Sequence, residues 1–371
     1  MTVYVMGMMS GTSIDGVDGV ILRFDNNTAD ASSFEIHAAA SVDFPKPLAQ
    51  RLNLLCSPAE NEVANIAWSN VELAKLYAQL AKVLLEQSGL EAGDIKAIGC
   101  HGQTIRHFPE LGYSMQIGSP AHLAAFSQIP VIADFRNADM ARGGEGAPLV
   151  PAFHRALLDT ISERNRYVLN LGGIANVTVL SASQPLLGFD TGPANTLLDY
   201  WYRSHQSEGY YDSAGLWGRQ GQLIDELLTK LMQEPYFQRE APKSTGRELF
   251  NPQWLQSRLT NHDYAPQDVQ RTLYHLTAKS IADALAPFSP GDIYVCGGGA
   301  NNPLLLELIS DYLPNFSVDD IATLGIDPQW VEASAFAWLA QQYLANKPGN
   351  VPEVTGASSE AILGAYYPSN A

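Results

Sequence analysis

Ser10, Gly11, Thr12 and Ser13 stand together between two apolar runs, with Asp15 and Asp18 close behind. Glycine lets the backbone approach a ligand, and the N–H groups of a tight turn form a nest for an anion. The hydroxyls add donors, and the two carboxylates are suited to orienting a hydrated cation or a lysine. A plain hairpin turn has the same composition, and the spacing matches neither GxxxxGK[ST] nor GxGxxG. A second glycine pair, Gly172-Gly173, is weak evidence alone. A third run, Gly297-Gly298-Gly299, sits between an apolar stretch and a helical one, where a flat base or ribose could lie against backbone, with Asn301 and Asn302 to hydrogen-bond it. Its plain reading is a tight strand-to-helix connection.

Between the second and third turns lies Asp190, at the end of the apolar Gly188-Phe189 and before Thr191-Gly192-Pro193-Ala194-Asn195. A carboxylate so placed can take a proton from an alcohol or water, or merely cap a helix. His101 and His107 are six residues apart, about 120° around a helix or about 20 Å along a strand, which disfavours a shared metal. The segment His101-Gly102-Gln103-Thr104 instead offers neutral hydrogen-bonding groups for a sugar. Arg106, Arg136, Arg142 and the loop Lys243-Ser244-Thr245-Gly246-Arg247 could neutralise an anion or simply face solvent.

The elements that must carry these residues are legible in outline. Val3–Met8 and Val17–Phe24 read as strands joined by a turn too short for a helix, and Phe34–Ala40 as a third strand. Apolar residues recur every 3.6 positions from Asn61 to Ser88, with Gly89 as the stop. Ile95–Cys100 and Val131–Ala133 read as buried strands, the latter leading into a polar, glycine-rich stretch from Asp134 to Pro148. In the second half Tyr167–Leu171 and Ala175–Leu180 repeat the strand–glycine–strand theme. Helical patterns begin at Asn195, Leu304 and Val331. The recurrence predicts two related α/β lobes, one of residues 1–138 plus 345–371 and one of residues 139–344.

Composition bounds the partners. A chain of 371 residues, 46% hydrophobic and 16% charged, is globular and comfortable as two lobes. No apolar run reaches the roughly 18 residues of a membrane helix, and the apolar start lacks the basic lead of a secretory leader. Three scattered cysteines argue for a reducing compartment and against structural zinc. A net charge of −17 disfavours nucleic acid and anionic membranes. A cytoplasmic protein is expected.

Three glycine turns in the order hairpin, hairpin, strand-to-helix resemble the layout of the actin/hexokinase-like (ribonuclease H-like) ATPases. That α/β fold holds ATP and sugar in a cleft between its lobes. A narrower resemblance rests on Met9 to Asp18, His101 to Thr104, Asp134-Phe135-Arg136, Gly143 to Val150, Gly188 to Pro193 and Val295 to Gly299. Over essentially the whole chain these segments resemble the anhydro-N-acetylmuramic acid kinases. The resemblance implies hydrolytic opening of a 1,6-anhydro sugar and phosphorylation of O6 by ATP with Mg²⁺, in peptidoglycan recycling. It implies Asp190 as the base, with Gly11, Thr12, Ser13, Ile14, Asp15, Gly16, Val17 and Asp18 at the phosphates, flanked by Gly172, Gly173 and Asn176. Gly297, Gly298 and Gly299 would take the adenosine, and Thr104, Arg136 and Glu332 the sugar and its lactyl carboxylate. Asp15 and Asp190 are the candidates to hold Mg²⁺ through water, and a homodimer is expected. The alternative, an ATPase of this fold acting as a protein-binding or assembly factor, predicts interaction segments that this sequence does not show.

Overall fold

Short apolar runs punctuated by glycine turns become strands here, and the longer 3.6-periodic stretches become the helices that cover them. The computed structural model describes residues 2–11, 14–25, 34–58, 60–158, 164–181, 184–241, 243–246, 248–259 and 263–369. Among them lie the strands β1 (Thr2–Met9), β2 (Gly16–Asp25), β3 (Phe34–Asp43), β4 (Ile95–Cys100), β5 (Gln103–Phe108), β6 (Tyr113–Ile117), β7 (Val131–Ala133), β8 (Asn165–Leu171), β9 (Ile174–Ser181), β10 (Gln184–Pro193), β11 (Gly291–Cys296), β12 (Ser317–Asp320) and β13 (Ala365–Tyr367). No helix among the described residues is long and apolar enough to cross a membrane.

The chain divides into two units, Met1–Asp159 with Trp330–Ala371, and Thr160–Gln329. This division differs from the expected boundaries over residues 139–159 and 330–344, which include the helices Val150–Leu158 and Val331–Leu344. Both pack within the first unit, where Phe153 meets Phe34 at 5.5 Å and the edge of Trp338 at 6.2 Å.

The two sheets have one plan. In the first the order is β13-β7-β4-β1-β2-β3, and in the second β10-β9-β8-β11-β12. Each begins with a three-stranded antiparallel meander, β1-β2-β3 or β8-β9-β10. Each then adds two strands parallel to the first of the three, β4 and β7 or β11 and β12. The repeat expected from the glycine turns is thus present as topology. The sequence reading omitted β5 and β6, a separate two-stranded hairpin. It also left the helix Phe135–Met140 inside a stretch read only as polar and glycine-rich.

In the first unit, alternation along β1 decides which layer each residue meets. Met6 and Met8 enter a core with Leu73, Tyr77, Leu80 and Leu84 of the helix Glu62–Ser88, which stops at Gly89 in the left-handed conformation. Gly7 faces the other way and stands beside Gly99 of β4. A Cβ on Gly7 would overlap the carbonyl of Ala333, and one on Gly99 that of Phe336. Two neighbouring bare positions therefore let the helix Val331–Leu344, itself rich in alanine, lie directly on the sheet. In the second unit the helix Pro266–Leu285 buries Val269, Leu273, Leu276 and Ile281 in one core with Leu169, Val177 and Val179.

Because the obstacle at Gly99 is backbone, it cannot rotate aside. Gly99→Val is expected to cost about 3 kcal/mol in urea unfolding. Gly93→Ala, at an exposed position with open space around it, should change stability by less than about 0.5 kcal/mol.

Candidate active site

The tip of the β1–β2 hairpin keeps only part of its expected chemistry. Ser10 is 3% exposed, its hydroxyl 3.0 Å from the Tyr77 hydroxyl and donating to Gly102 O at 3.3 Å. Its role is to anchor the turn, not to offer a donor. Thr12 and Ser13 lie outside the described residues. Ile14 has φ +54° with its side chain in the core. A β-branched residue in that conformation is rare and costs about 1–3 kcal/mol, so burial of the side chain holds a strained turn open. Gly11 is half-buried and Asp15 exposed, while Gly16 and the fully buried Val17 belong to β2 and its packing. Asp18 is half-buried and accepts a hydrogen bond from Ser41.

The second hairpin is turned by a helix. Ala194, Asn195 and Thr196, where the helix Asn195–His205 starts, donate backbone N–H bonds of 3.0 Å to the carbonyls of Gly173, Gly172 and Gly173 in turn. With both carbonyls committed there, the N–H groups across the same trans peptides, those of Gly173 and Ile174, are oriented away from that helix. In the third turn, a Cβ on Gly297 would overlap Asn170 Oδ1, and one on Gly299 would press on Leu171. Those two glycines answer to packing against the end of β8, and Gly298 alone is exposed. Asn302 is not available as expected, for it caps Leu305 at 3.3 Å and donates to Tyr274 Oη at 2.8 Å.

Asp190 does not end its strand. It sits inside β10 opposite Asn176, where the register shifts between Asp190 and Gly192, and the helix that follows is capped by Ala194 instead. A bulge of this kind re-aims a side chain. Four bonds fix the residue. Its N–H donates to Lys243 O at 3.0 Å and its carbonyl accepts from Tyr236 Oη at 2.7 Å. Oδ2 accepts from Ser244 Oγ at 3.0 Å and Thr245 N at 2.9 Å. Oδ1 accepts no hydrogen bond among the described residues. Burial pushes the carboxyl up to about 6, the Thr245 and Ser244 bonds pull it down, and Glu248 nearby raises it. That is an oriented carboxylate with one open oxygen and an affinity for protons near neutrality.

In the first unit Arg136 combines partial burial with the lack of an ion-pair partner among the described residues. Arg106 pairs with Glu62, and Arg142 is exposed and bonded to Ala138 O at 2.8 Å. Arg136 donates from Nε to His101 Nε2 at 3.0 Å and from Nη1 to Gly146 O at 2.9 Å, both neutral acceptors. Burial lowers its pKa to about 10, an effect that the Glu332 charge opposes. Glu332 makes no hydrogen bond or ion pair among the described residues. Burial raises its carboxyl to about 7, against the pull of Arg136 and with the push of Asp18. Thr104, on β5, accepts from Gln116 Nε2 at 3.0 Å and keeps its hydroxyl proton to donate. His101 and Gln103 are buried at 6% and 1% exposure; the His101 ring is bonded to Arg136 and Gly102, whereas Gln103 Oε1 has no hydrogen-bond partner among the described residues.

Sequence reasoning missed Tyr236 and Asp139. Asp139 is fully buried and takes Gly146 N at 2.9 Å, Thr355 Oγ1 at 2.8 Å and Asn350 Nδ2 at 2.7 Å. It pins the loop that supplies Gly146 O to the C-terminal segment. The pattern Gly143 to Val150 marked the loop but not the distant partners. Among the described residues no three His, Cys, Asp or Glu side chains converge as a metal cage. A Mg²⁺ that arrives with a nucleotide asks the protein for one or two carboxylates. Each unit has one carboxylate of the expected pair: Asp15 is exposed on the first hairpin, and Asp190 in the second unit is held through Oδ2.

Duplicated five-strand plans, glycine-tipped hairpins and a carboxylate set in a bulge define an ATPase fold of the actin/hexokinase-like class. Within that class the chain belongs to the anhydro-N-acetylmuramic acid kinase family, whose profile matches residues 3–369. It is 45% identical over 372 residues to the anhydro-N-acetylmuramic acid kinase of Shewanella pealeana, covering 99% of each chain. It is 48% identical over 372 residues to that of Bordetella pertussis, covering 98% of this chain and 96% of the other. A solved structure, component A of (R)-2-hydroxyglutaryl-CoA dehydratase from Acidaminococcus fermentans, is similar with a TM-score of 0.47 at 12% identity, over 92% of this chain and 99% of that one.

A hydrogen bond to a carboxylate favours its ionised form, so losing one raises the pKa. In ¹³C-detected titration the Asp190 carboxyl should protonate near pH 6. Ser244→Ala should move that midpoint upward by roughly one unit or less.

Proposed function

We propose that this protein is an anhydro-N-acetylmuramic acid kinase, which with water and ATP converts 1,6-anhydro-N-acetylmuramic acid to N-acetylmuramic acid 6-phosphate and ADP. The observation that carries the chemistry is Asp190, held through Oδ2 by Ser244 and Thr245 with Oδ1 left open. Oδ1 takes a proton from a water whose oxygen attacks C1. The C1–O6 bond breaks as O6 attacks the γ-phosphorus, and ADP leaves. Ordinary glycosidases use a second carboxylic acid to protonate the departing oxygen. Phosphoryl transfer to O6 supplies that stabilisation here, so one carboxylate suffices, and C1 inverts.

Raising the Asp190 carboxyl to about 6 keeps it mostly ionised at neutral pH yet basic enough to accept the proton. The raised value carries a cost for the fold. The folded carboxyl holds its proton up to about pH 6, whereas the unfolded one loses it near its ordinary value of 3.8. Ionisation therefore works against folding as pH rises through that window, and the penalty persists above it.

The β1–β2 hairpin from Gly11 to Asp18 is assigned to the β- and γ-phosphates, Gly172, Gly173 and Asn176 to their flank, and Gly298 with its neighbours to the adenosine. Thr12 and Ser13 are assigned by position in the sequence. Arg136 would hold the lactyl carboxylate, with Thr104 and Glu332 on the sugar. Mg²⁺, when bound, neutralises phosphate charge. The product belongs to peptidoglycan recycling.

Turnover in ¹⁸O-water should place the label on C1 of the product, in the inverted configuration when trapped early, and none on the phosphate. Asp190→Asn should lower kcat by at least about a thousandfold while raising thermal stability at pH 8 more than at pH 5. Label on phosphate, or near-normal turnover by the variant, would remove Asp190 from this role.

A further inference from the structure

We propose that His101 is a positioning residue for an anion site at Arg136, its unprotonated Nε2 holding the guanidinium Nε so that the outer N–H groups face a ligand carboxylate. The inference rests on the reading of Arg136 as the lactyl-carboxylate site and says how that site keeps its charge.

The geometry fixes the tautomer. Arginine Nε is a donor only, so His101 Nε2, 3.0 Å away, is the acceptor. Nδ1 lies 2.9 Å from Gly102 O, an acceptor only, so Nδ1 carries the proton. Gly102 can turn its carbonyl this way because it adopts φ +77°, and a Cβ there would press on Ile117 O at 2.6 Å. The ring is clamped in plane as well. It lies 4.6 Å from the Phe336 ring, which lies 5.6 Å from that of Phe135, the neighbour of Arg136. An imidazolium would set an N–H against the guanidinium N–H, and burial together with the Arg136 charge holds the ring pKa well below its usual value.

A carboxylate in place of His101 would orient Arg136 equally well, but would neutralise it. A neutral imidazole and the Gly146 carbonyl direct the guanidinium and leave its charge for a ligand. Nη2 has no protein partner among the described residues. The half-buried cation has no ion-pair or hydrogen-bond anion of its own among the described residues, only the more distant charge of Glu332, which makes recognition of a carboxylate-bearing sugar strong relative to its uncharged analogue.

Two substitutions separate the bond from the bulk. In His101→Gln the amide oxygen reaches the place of Nε2, whereas in His101→Asn it reaches only that of Nδ1. The glutamine variant should keep KM for the anhydro-sugar within about threefold of the original. The asparagine variant should raise it about tenfold or more, with kcat at saturation and KM for ATP within about twofold. Equal behaviour of the two variants, or a loss confined to kcat or to ATP, overturns the proposal. Arg136→Gln tests the underlying reading. If it leaves KM for the sugar unchanged, the carboxylate site itself is wrong. If it raises KM and His101→Asn still adds its full factor in that background, the site stands and the positioning role falls. Should His101→Asn fail to fold, the ¹⁵N ring shifts of the unmodified protein at pH 7 decide. A neutral Nδ1–H ring supports the proposal, and an Nε2–H ring or an imidazolium overturns it.

Discussion

The first unit depends on a contact in which almost no side chain takes part. At Gly7 and Gly99 the adjacent strands β1 and β4 present bare backbone to the helix Val331–Leu344, whose carbonyls at Ala333 and Phe336 lie where two Cβ atoms would be. Strands β1 and β4 run parallel, so both deliver their next residues at the same edge of the sheet. Those residues are Ser10 and Gly11 from one strand and His101 and Gly102 from the other. The helix brings Glu332 near enough to Arg136 and Asp18 for their charges to shift its proton affinity. One seat for one helix thus sets the positions of several polar groups. A side chain in that seat would displace them together.

Around that frame the molecule handles charge unevenly. Arg106 and Glu62, Arg258 and Glu234, and Arg23 and Glu35 are paired in the ordinary way. Asp139, fully buried, is satisfied by a backbone N–H, a hydroxyl and an amide, and serves architecture. Asp190, Arg136 and Glu332 are different. Each is partly withdrawn from water and has no ion-pair partner among the described residues. Burial shifts the proton affinity of each, a sign that desolvation outweighs local compensation. Groups left in that condition are destabilising unless something else completes them, which is why they mark chemistry more reliably than the paired ones.

How much of this could be read from the residues alone depends on range. Strands framed by glycine and helices with a clear period, such as Ile95–Cys100 and Glu62–Ser88, declare themselves locally. The duplicated plan was legible because each copy places a glycine turn after its first strand. What escaped were the relations set by tertiary packing. Nothing near Asp190 says that β10 continues past it through a register shift, or that Ser244 and Thr245 return some fifty positions later to hold one of its oxygens. Nothing near His101 says that its ring is consumed by Arg136 and Gly102, so its polar type suggested contact with ligand where the ring is bonded to its own chain. Gly297 and Gly299 look like ligand-facing glycines, yet their bareness answers to Asn170 and Leu171.

The first unit is also interrupted. Its chain stops at Asp159 and resumes at Trp330, whereas the second unit is one continuous stretch between them. During synthesis the second unit is therefore complete before the first has received its last helix. Until then the face of β1 and β4 around Gly7 and Gly99 has no cover, and the loop anchored by Asp139 lacks Asn350 and Thr355. The order of translation thus makes the earliest strands of the protein among the last to receive their packing partners.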